Sequence, residues 1–185
     1  MPDIEAAPSS KISEILYDEA TIKKAVEHMG QQISKDYAGE KILLVTVLKG
    51  AFIFMADLAR SIDGHVEVDF MAVSSYGDGA KSSGVVRIIK DLSMPVEGRH
   101  VIIVEDILDS GLTLKYLLKN LKSRNPLSIE VATLLFKEGK QQTNIECRYV
   151  GFVCPDEFVV GYGLDYDESY RNLPYIGVLS PTVYE

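Results

Sequence analysis

One run of residues narrows the possible folds more than any other: Val101 to Leu114, VIIVEDILDSGLTL. It opens with four apolar β-branched residues, Val101 to Val104. No polar position alternates among them, so the run predicts a strand buried on both faces, as in a parallel sheet. Two acids, Glu105 and Asp106, arrive where such a strand is expected to end. After Asp109, Ser110, Gly111, Leu112 and Thr113, a helical pattern begins. Leu114, Leu117, Leu118 and Leu121 fall at i, i+3, i+4 and i+7, and Asn125-Pro126 closes the helix.

That order of elements carries chemistry. Strand ends of open α/β sheets face the crevice where ligands bind. A small turn feeding a helix N-terminus offers unpaired backbone N–H groups and a positive dipole end, which together suit a phosphate. Gly111 allows close backbone approach, and Ser110 and Thr113 add hydroxyl donors. Glu105 and Asp106 would repel phosphate and suit a ribose diol or a metal ion instead. Anion cradle and acid pair together describe a phosphorylated sugar, with Mg²⁺ as a fitting companion. Taken alone, D-S-G-x-T reads equally as a loop with Asp109 or Ser110 as an ordinary helix N-cap.

Composition bounds the class. A chain of 185 residues suits one domain, 1–185, with a sizeable core. A net charge of −8 speaks against broad nucleic-acid binding, which needs a basic footprint, so phosphate must be met locally. Cys147 and Cys154 form neither a disulfide framework nor a zinc spacing and read as small apolar fillers in a reducing cytosol. The start, MPDIEAAPSS, lacks the basic and apolar regions of a signal peptide. No apolar run approaches the ~18 residues of a membrane span. The expectation is a cytoplasmic protein with no membrane partner.

Along the chain, residues 1–10 read as a loose tail. A helix is predicted from about Asp18 to Tyr37, with Ile22, Ala25, Val26, Met29 and Ile33 as its stripe and His28 beside it as a surface residue. Lys41 to Leu48 is a second unbroken apolar strand. Lys49-Gly50 follows, then a helix from Ala51 to Ile62 with Phe52, Met55, Ala59 and Ile62 among its buried positions. His65 to Tyr76 and Val85 to Leu92 suggest a hairpin whose tip, Ser74 to Gly84, holds too much Gly and Ser for one structure. Gly79-Ala80-Lys81-Ser82 lacks the P-loop spacing. Ser128 to Phe136, Val150 to Cys154 and Tyr175 to Leu179 read as further strands. The fold expected is α/β, a mainly parallel twisted sheet flanked by helices on both faces.

The central run, an apolar strand, two acids, two apolar residues and then D-S-G-x-T, resembles the signature of the type I phosphoribosyltransferases, which bind 5-phosphoribosyl-1-pyrophosphate (PRPP). Other stretches extend the likeness across residues 40 to 180. Leu48-Lys49-Gly50 resembles the pyrophosphate loop of the purine members, whose Leu-Lys peptide is cis in many cases. Ser75-Tyr76 is similar to the pair that marks their closing loop, which makes residues 74–90 a candidate mobile lid. Phe158-Val159-Val160-Gly161-Tyr162, Leu164-Asp165-Tyr166 and Tyr170-Arg171-Asn172-Leu173 resemble the purine site of the hypoxanthine-guanine phosphoribosyltransferases.

The resemblance implies a role for each matching residue. Ser110, Gly111, Leu112 and Thr113, with Asp109, would cradle the 5′-phosphate; Leu112, at a position where some relatives carry lysine, would help through its N–H alone. Glu105 and Asp106 would hold the ribose hydroxyls, directly or through Mg²⁺, and Asp165 would serve a second Mg²⁺. Lys49, Gly50 and Arg171 would hold pyrophosphate. Lys137 would donate to the 6-oxo group of the purine, Phe158 would stack on it and the Val159 backbone would meet its edge. Asp109 would be the general acid/base. The activity implied is transfer of the phosphoribosyl group from PRPP to hypoxanthine or guanine, giving IMP or GMP and pyrophosphate with Mg²⁺. A small hood from the N- and C-terminal segments and a homodimer or homotetramer come with that likeness. Fold alone does not fix function. A PRPP-sensing regulator and an enzyme for xanthine or a pyrimidine are the rival readings; Asp109, Lys137, Phe158 and the acidic chain favour the oxopurine enzyme.

Overall fold

The computed structural model describes residues 11–75 and 86–184. The chain opens with β1 (Ile12–Tyr17) and α1 (Glu19–Asp36), then runs through β2 (Lys41–Val47), α2 (Phe52–Ser61), β3 (His65–Ser75) and β4 (Val86–Lys90). The second half holds β5 (His100–Leu108), α3 (Leu112–Lys122), β6 (Ser128–Lys137), β7 (Tyr149–Cys154), β8 (Val159–Val160) and β9 (Ile176–Leu179). A sheet of order β4-β3-β2-β5-β6-β7 forms the body. Its strands β3, β2, β5, β6 and β7 pair in parallel, and β4 closes one edge antiparallel to β3. A smaller antiparallel sheet, β1-β9-β8, joins the N- and C-terminal segments.

The unbroken apolar strands behave as parallel strands must. Ile42, Leu44, Ile102, Val104, Ala132 and Leu134 pack on one face with Ile22, Val26, Met29 and Ile33 of α1 and Phe54, Met55 and Leu58 of α2. Leu43, Val45, Val101, Ile103 and Val131 pack on the other face with Leu114, Leu117 and Leu121 of α3. The sheet is thus covered on both sides. Each buried leucine of α3 contributes roughly 1.5–3 kcal/mol, which fixes the start of that helix against the end of β5. Asp18 caps α1, accepting the Thr21 N–H at 2.8 Å. Among the described residues no helix is long and apolar enough to cross a membrane.

Three expectations are corrected. Strand β5 does not stop at the acid pair but continues to Leu108, because β6 offers ladder partners that far: Glu105 opposes Thr133, Ile107 opposes Leu135 and Leu108 opposes Phe136. Neither Asp109 nor Ser110 caps α3; Gly111 does, at φ 75°, with no side-chain cap bond. The buried face of α2 is Phe54, Met55 and Leu58, whereas Phe52 is exposed and Ala59 and Ile62 are only partly covered. The helix packs against both α1 and the sheet, which rotates its buried face away from Phe52. β1 carries no strong sequence pattern and all of its residues are at least partly exposed; it is held by pairing with β9 and by Tyr17, which stacks on Phe152. The tail at residues 1–10 and residues 76–85 of the expected lid lie outside the described residues.

Candidate active site

The C-terminal ends of β2 and β5 border one cleft of about 280 Å³, lined by residues 47–50 and 105–114. Parallel pairing puts them there: Thr46 opposes Val104, and the Thr46 hydroxyl ties the strands by donating to the Val104 carbonyl at 2.7 Å. The cleft gathers Lys49, Gly50, Glu105, Asp106, Asp109, Ser110, Gly111, Leu112 and Thr113. A larger cavity of about 570 Å³ lies elsewhere, between α1, α2 and residues 172–174, away from the acid pair. The smaller cleft, not the larger cavity, is where the acid pair, Lys49 and the start of α3 converge.

At one wall, α3 begins without a side-chain cap. The Leu112 N–H comes no nearer than 3.5 Å to the Ser110 hydroxyl, too long to satisfy it. The first-turn N–H groups of a helix have no partner within the helix, so this wall offers backbone donors of the kind that suit an anion. Residues 139–143 brace it from behind. The Gln142 N–H donates to the Ser110 carbonyl at 3.0 Å, and a side chain at Gly111 would meet the Thr143 hydroxyl at 2.6 Å. That Thr143 hydroxyl oxygen is buried and has no hydrogen-bond partner among the described residues.

The acid pair forms the floor. Burial, and then the neighbouring Asp106 charge, push the Glu105 carboxyl up to about 8. Asp106 is also raised, mainly by burial, although the Ile107 N–H at 2.8 Å and the charge of Arg171 work the other way. Two half-buried carboxylates side by side favour a cation or sugar hydroxyls as company. The donors Glu105, Asp106 and Asp165 are hard carboxylate oxygens, and Asp165 is near enough to raise Asp106 further. Among the described residues no three or more His, Cys, Asp or Glu side chains are grouped so as to hold a metal ion. A carboxylate pair such as Glu105 and Asp106 still fits Mg²⁺, which takes one or two carboxylates and completes its shell from water and substrate phosphate.

The opposite wall is cationic. The Leu48–Lys49 peptide is cis, and Lys49 is exposed. Arg171 is mostly buried; it donates to the Gly163 carbonyl at 2.7 Å and meets Asp165 at 3.0 Å. Glu168 reaches both cations, at 2.8 Å from the Lys49 ammonium and 3.5 Å from Arg171. Glycines permit the approach of these loops. A side chain at Gly50 would meet the Asp106 carboxylate at 1.9 Å, and one at Gly163, where φ is 101°, would meet the Gly50 carbonyl at 2.2 Å. Gly163 and Glu168 were missed in the sequence, although Gly161 and Gly163 at alternate positions hint at close backbone packing.

The residues expected to meet a base, Lys137, Phe158 and Val159, do not line this cleft. Lys137 ends β6 one residue beyond Phe136, which opposes Leu108. Its ammonium is mostly covered and lies 3.8 Å from Asp156, which also meets Lys140 at 2.6 Å. Phe158 is 40% exposed and stacks on Tyr184 with centroids 5.1 Å apart, while Tyr166 meets it edge-on at 5.7 Å. Val159 is buried and paired with Val178. Ser75 ends β3 opposite Val86, and Tyr76 lies outside the described residues.

The chain is similar to known proteins over nearly its whole length. The phosphoribosyl transferase domain family matches residues 13–167. A hypoxanthine-guanine phosphoribosyltransferase of Mycobacterium bovis is 53% identical over 180 residues, covering 94% of this chain and 89% of that one. One from Bacillus subtilis is 53% identical over 174 residues, covering 94% and 97%. The crystal structure of a hypoxanthine phosphoribosyltransferase from Staphylococcus aureus superposes with a TM-score of 0.94 at 48% identity, over 99% of this chain and 100% of that one.

Proposed function

The chain belongs to the phosphoribosyl transferase family, and from that premise we infer that it is a purine-salvage enzyme. It transfers the 5-phosphoribosyl group from PRPP to hypoxanthine or guanine, giving IMP or GMP and pyrophosphate. The observation that carries the site assignment is the cleft at the end of β5, where a helix N-terminus without a side-chain cap, an acid pair and Lys49 share about 280 Å³. A phosphorylated, diphosphate-bearing sugar needs that combination: backbone donors at one end, hydroxyl acceptors in the middle and cations at the other end.

In the mechanism we propose, the N–H groups and hydroxyls of residues 110–113 hold the 5′-phosphate and so set the position of the sugar. Glu105 and Asp106 accept the two ribose hydroxyls. Lys49 and Arg171 take the pyrophosphate, Arg171 through its planar fork. Lys137 donates to the 6-oxo group, which hypoxanthine and guanine share, whereas adenine offers a donor there and is disfavoured. Phe158 supplies a ring for offset stacking, and the Val159 backbone meets the base edge. The purine must lose a proton as its ring nitrogen forms the bond to C1 and the C1–pyrophosphate bond breaks. Asp109, exposed at the cleft mouth, accepts that proton. Glu105 and Asp106 would hold one Mg²⁺ and Asp165 a second, and these ions, when bound, would supply neutralisation of the leaving pyrophosphate. A cytoplasmic homodimer or homotetramer, with residues 74–90 as the lid that excludes water, completes the proposal.

An ultraviolet assay with PRPP, Mg²⁺ and, separately, hypoxanthine, guanine, xanthine, adenine and uracil tests it. Turnover is expected with the first two and lost on chelation. Turnover with xanthine or uracil in their place would reassign the base, and PRPP binding with no turnover would make the protein a sensor.

A further inference from the structure

Between the two cations assigned to pyrophosphate sits an acid that the reaction does not use. One carboxylate oxygen of Glu168 lies 2.8 Å from the Lys49 ammonium, and the other lies 3.5 Å from an Arg171 terminal nitrogen. The acid is charged in place, since its bond with Lys49, helped by Arg171, lowers its pKa. The turn that carries it is unusual. Tyr166 and Ser169 exchange both backbone hydrogen bonds, at 3.3 and 3.0 Å, around Asp167 at φ 50° and Glu168 at φ 59°. Left-handed backbone at both central residues marks a two-residue hairpin turn of the mirror-image kind, whose second position usually falls to glycine. A glutamate there carries strain that glycine would avoid, and such strain persists where the side chain is needed.

We propose that Glu168 is a positioning residue, an internal anion that pre-sets Lys49 and Arg171 in the ligand-free site and yields both to the pyrophosphate group of the substrate. Its two oxygens meet the two cations much as two diphosphate oxygens would. Pyrophosphate carries more charge and displaces it. Glu168 is 65% exposed in its side chain and so swings out into water at little cost. The same competition hastens release of the product pyrophosphate. This inference rests on the reading of Lys49 and Arg171 as pyrophosphate ligands.

The test is calorimetric titration of inorganic pyrophosphate with Mg²⁺ into the full chain, Glu168→Gln and Glu168→Gly, with Lys49→Ala and Arg171→Ala as controls. Glu168→Gln is expected to bind pyrophosphate about two- to fivefold more tightly, the scale an exposed ion pair supports, and to be inhibited by it correspondingly more, with KM for the base unchanged. Glu168→Gly is expected to do the same while melting no lower than the parent, because glycine suits the turn. Unchanged or weaker pyrophosphate binding by Glu168→Gln overturns the inference. If the two control variants bind pyrophosphate as the parent does, the ligand reading itself fails.

Discussion

The two ends of the cleft handle anions by different physical means. At the α3 end the donors are backbone N–H groups, no Lys or Arg occurs among residues 109–113, and the geometry is fixed by the burial of Leu114, Leu117 and Leu121. At the Lys49–Arg171 end the donors are side-chain cations, each already held by a carboxylate, Glu168 or Asp165, on loops that touch through Gly50 and Gly163. The first end is preorganised by the core and gains little from side-chain charge. The second is an electrostatic balance that a ligand must rearrange. A phosphate that stays bound through the reaction suits the rigid end, and a group that must leave suits the balanced one.

Asp109 lies at the edge of the rigid end. Asp109→Asn is expected to cut turnover roughly 10²–10⁴-fold in a steady-state assay while PRPP still binds, because it removes a proton acceptor and leaves the cradle. Near-normal turnover would take Asp109 out of the mechanism. Arg171→Ala breaks the balanced end alone. It should weaken magnesium pyrophosphate about 10–100-fold, the value of hydrogen bonds to a charged group, and leave ribose 5-phosphate affinity within about twofold. Equal losses by titration would show that the ends are not separate. Lys137→Ala should weaken oxopurine binding about tenfold and PRPP binding far less, placing base reading outside both anion ends.

The smallest effect concerns the floor between them. Glu105 titrates near 8 in the fold, against an ordinary value of 4.5, so between those pH values the folded chain holds a proton that the unfolded chain has released. Stability of the metal-free protein should therefore fall as pH rises from about 4.5 to about 8 and level off above. Glu105→Gln should flatten that slope and raise the melting temperature at high pH by about 2–4 °C, on the order of 1 kcal/mol for a chain of this size. A slope unchanged by the substitution would move the strain elsewhere.

How much of this was legible in the sequence follows the same division. The parallel body and α3 were readable because unbroken apolar runs and a leucine stripe have few other interpretations. The acid pair stood out as polarity at the end of a buried run. Partner-dependent features were hidden: the extension of β5 depends on β6, the Gly111 cap on backbone conformation, the buried face of α2 on α1, and β1 on β9. Glu168 was invisible for the strongest reason, since 119 residues separate it from Lys49. Gly163, too, shows its purpose only against the Gly50 carbonyl.

The central claim is that PRPP is held in the cleft at the end of β5, anchored on the start of α3. Calorimetric titration of PRPP with Mg²⁺ into the parent protein and into Gly111→Val tests it most directly. Valine there would occupy a left-handed position and press on Thr143, displacing the N–H groups without touching any charge. The account predicts binding to the parent and at least a tenfold loss in the variant, about 1.4 kcal/mol, with the fold retained by circular dichroism. No binding to the parent, or equal binding to both, would contradict it.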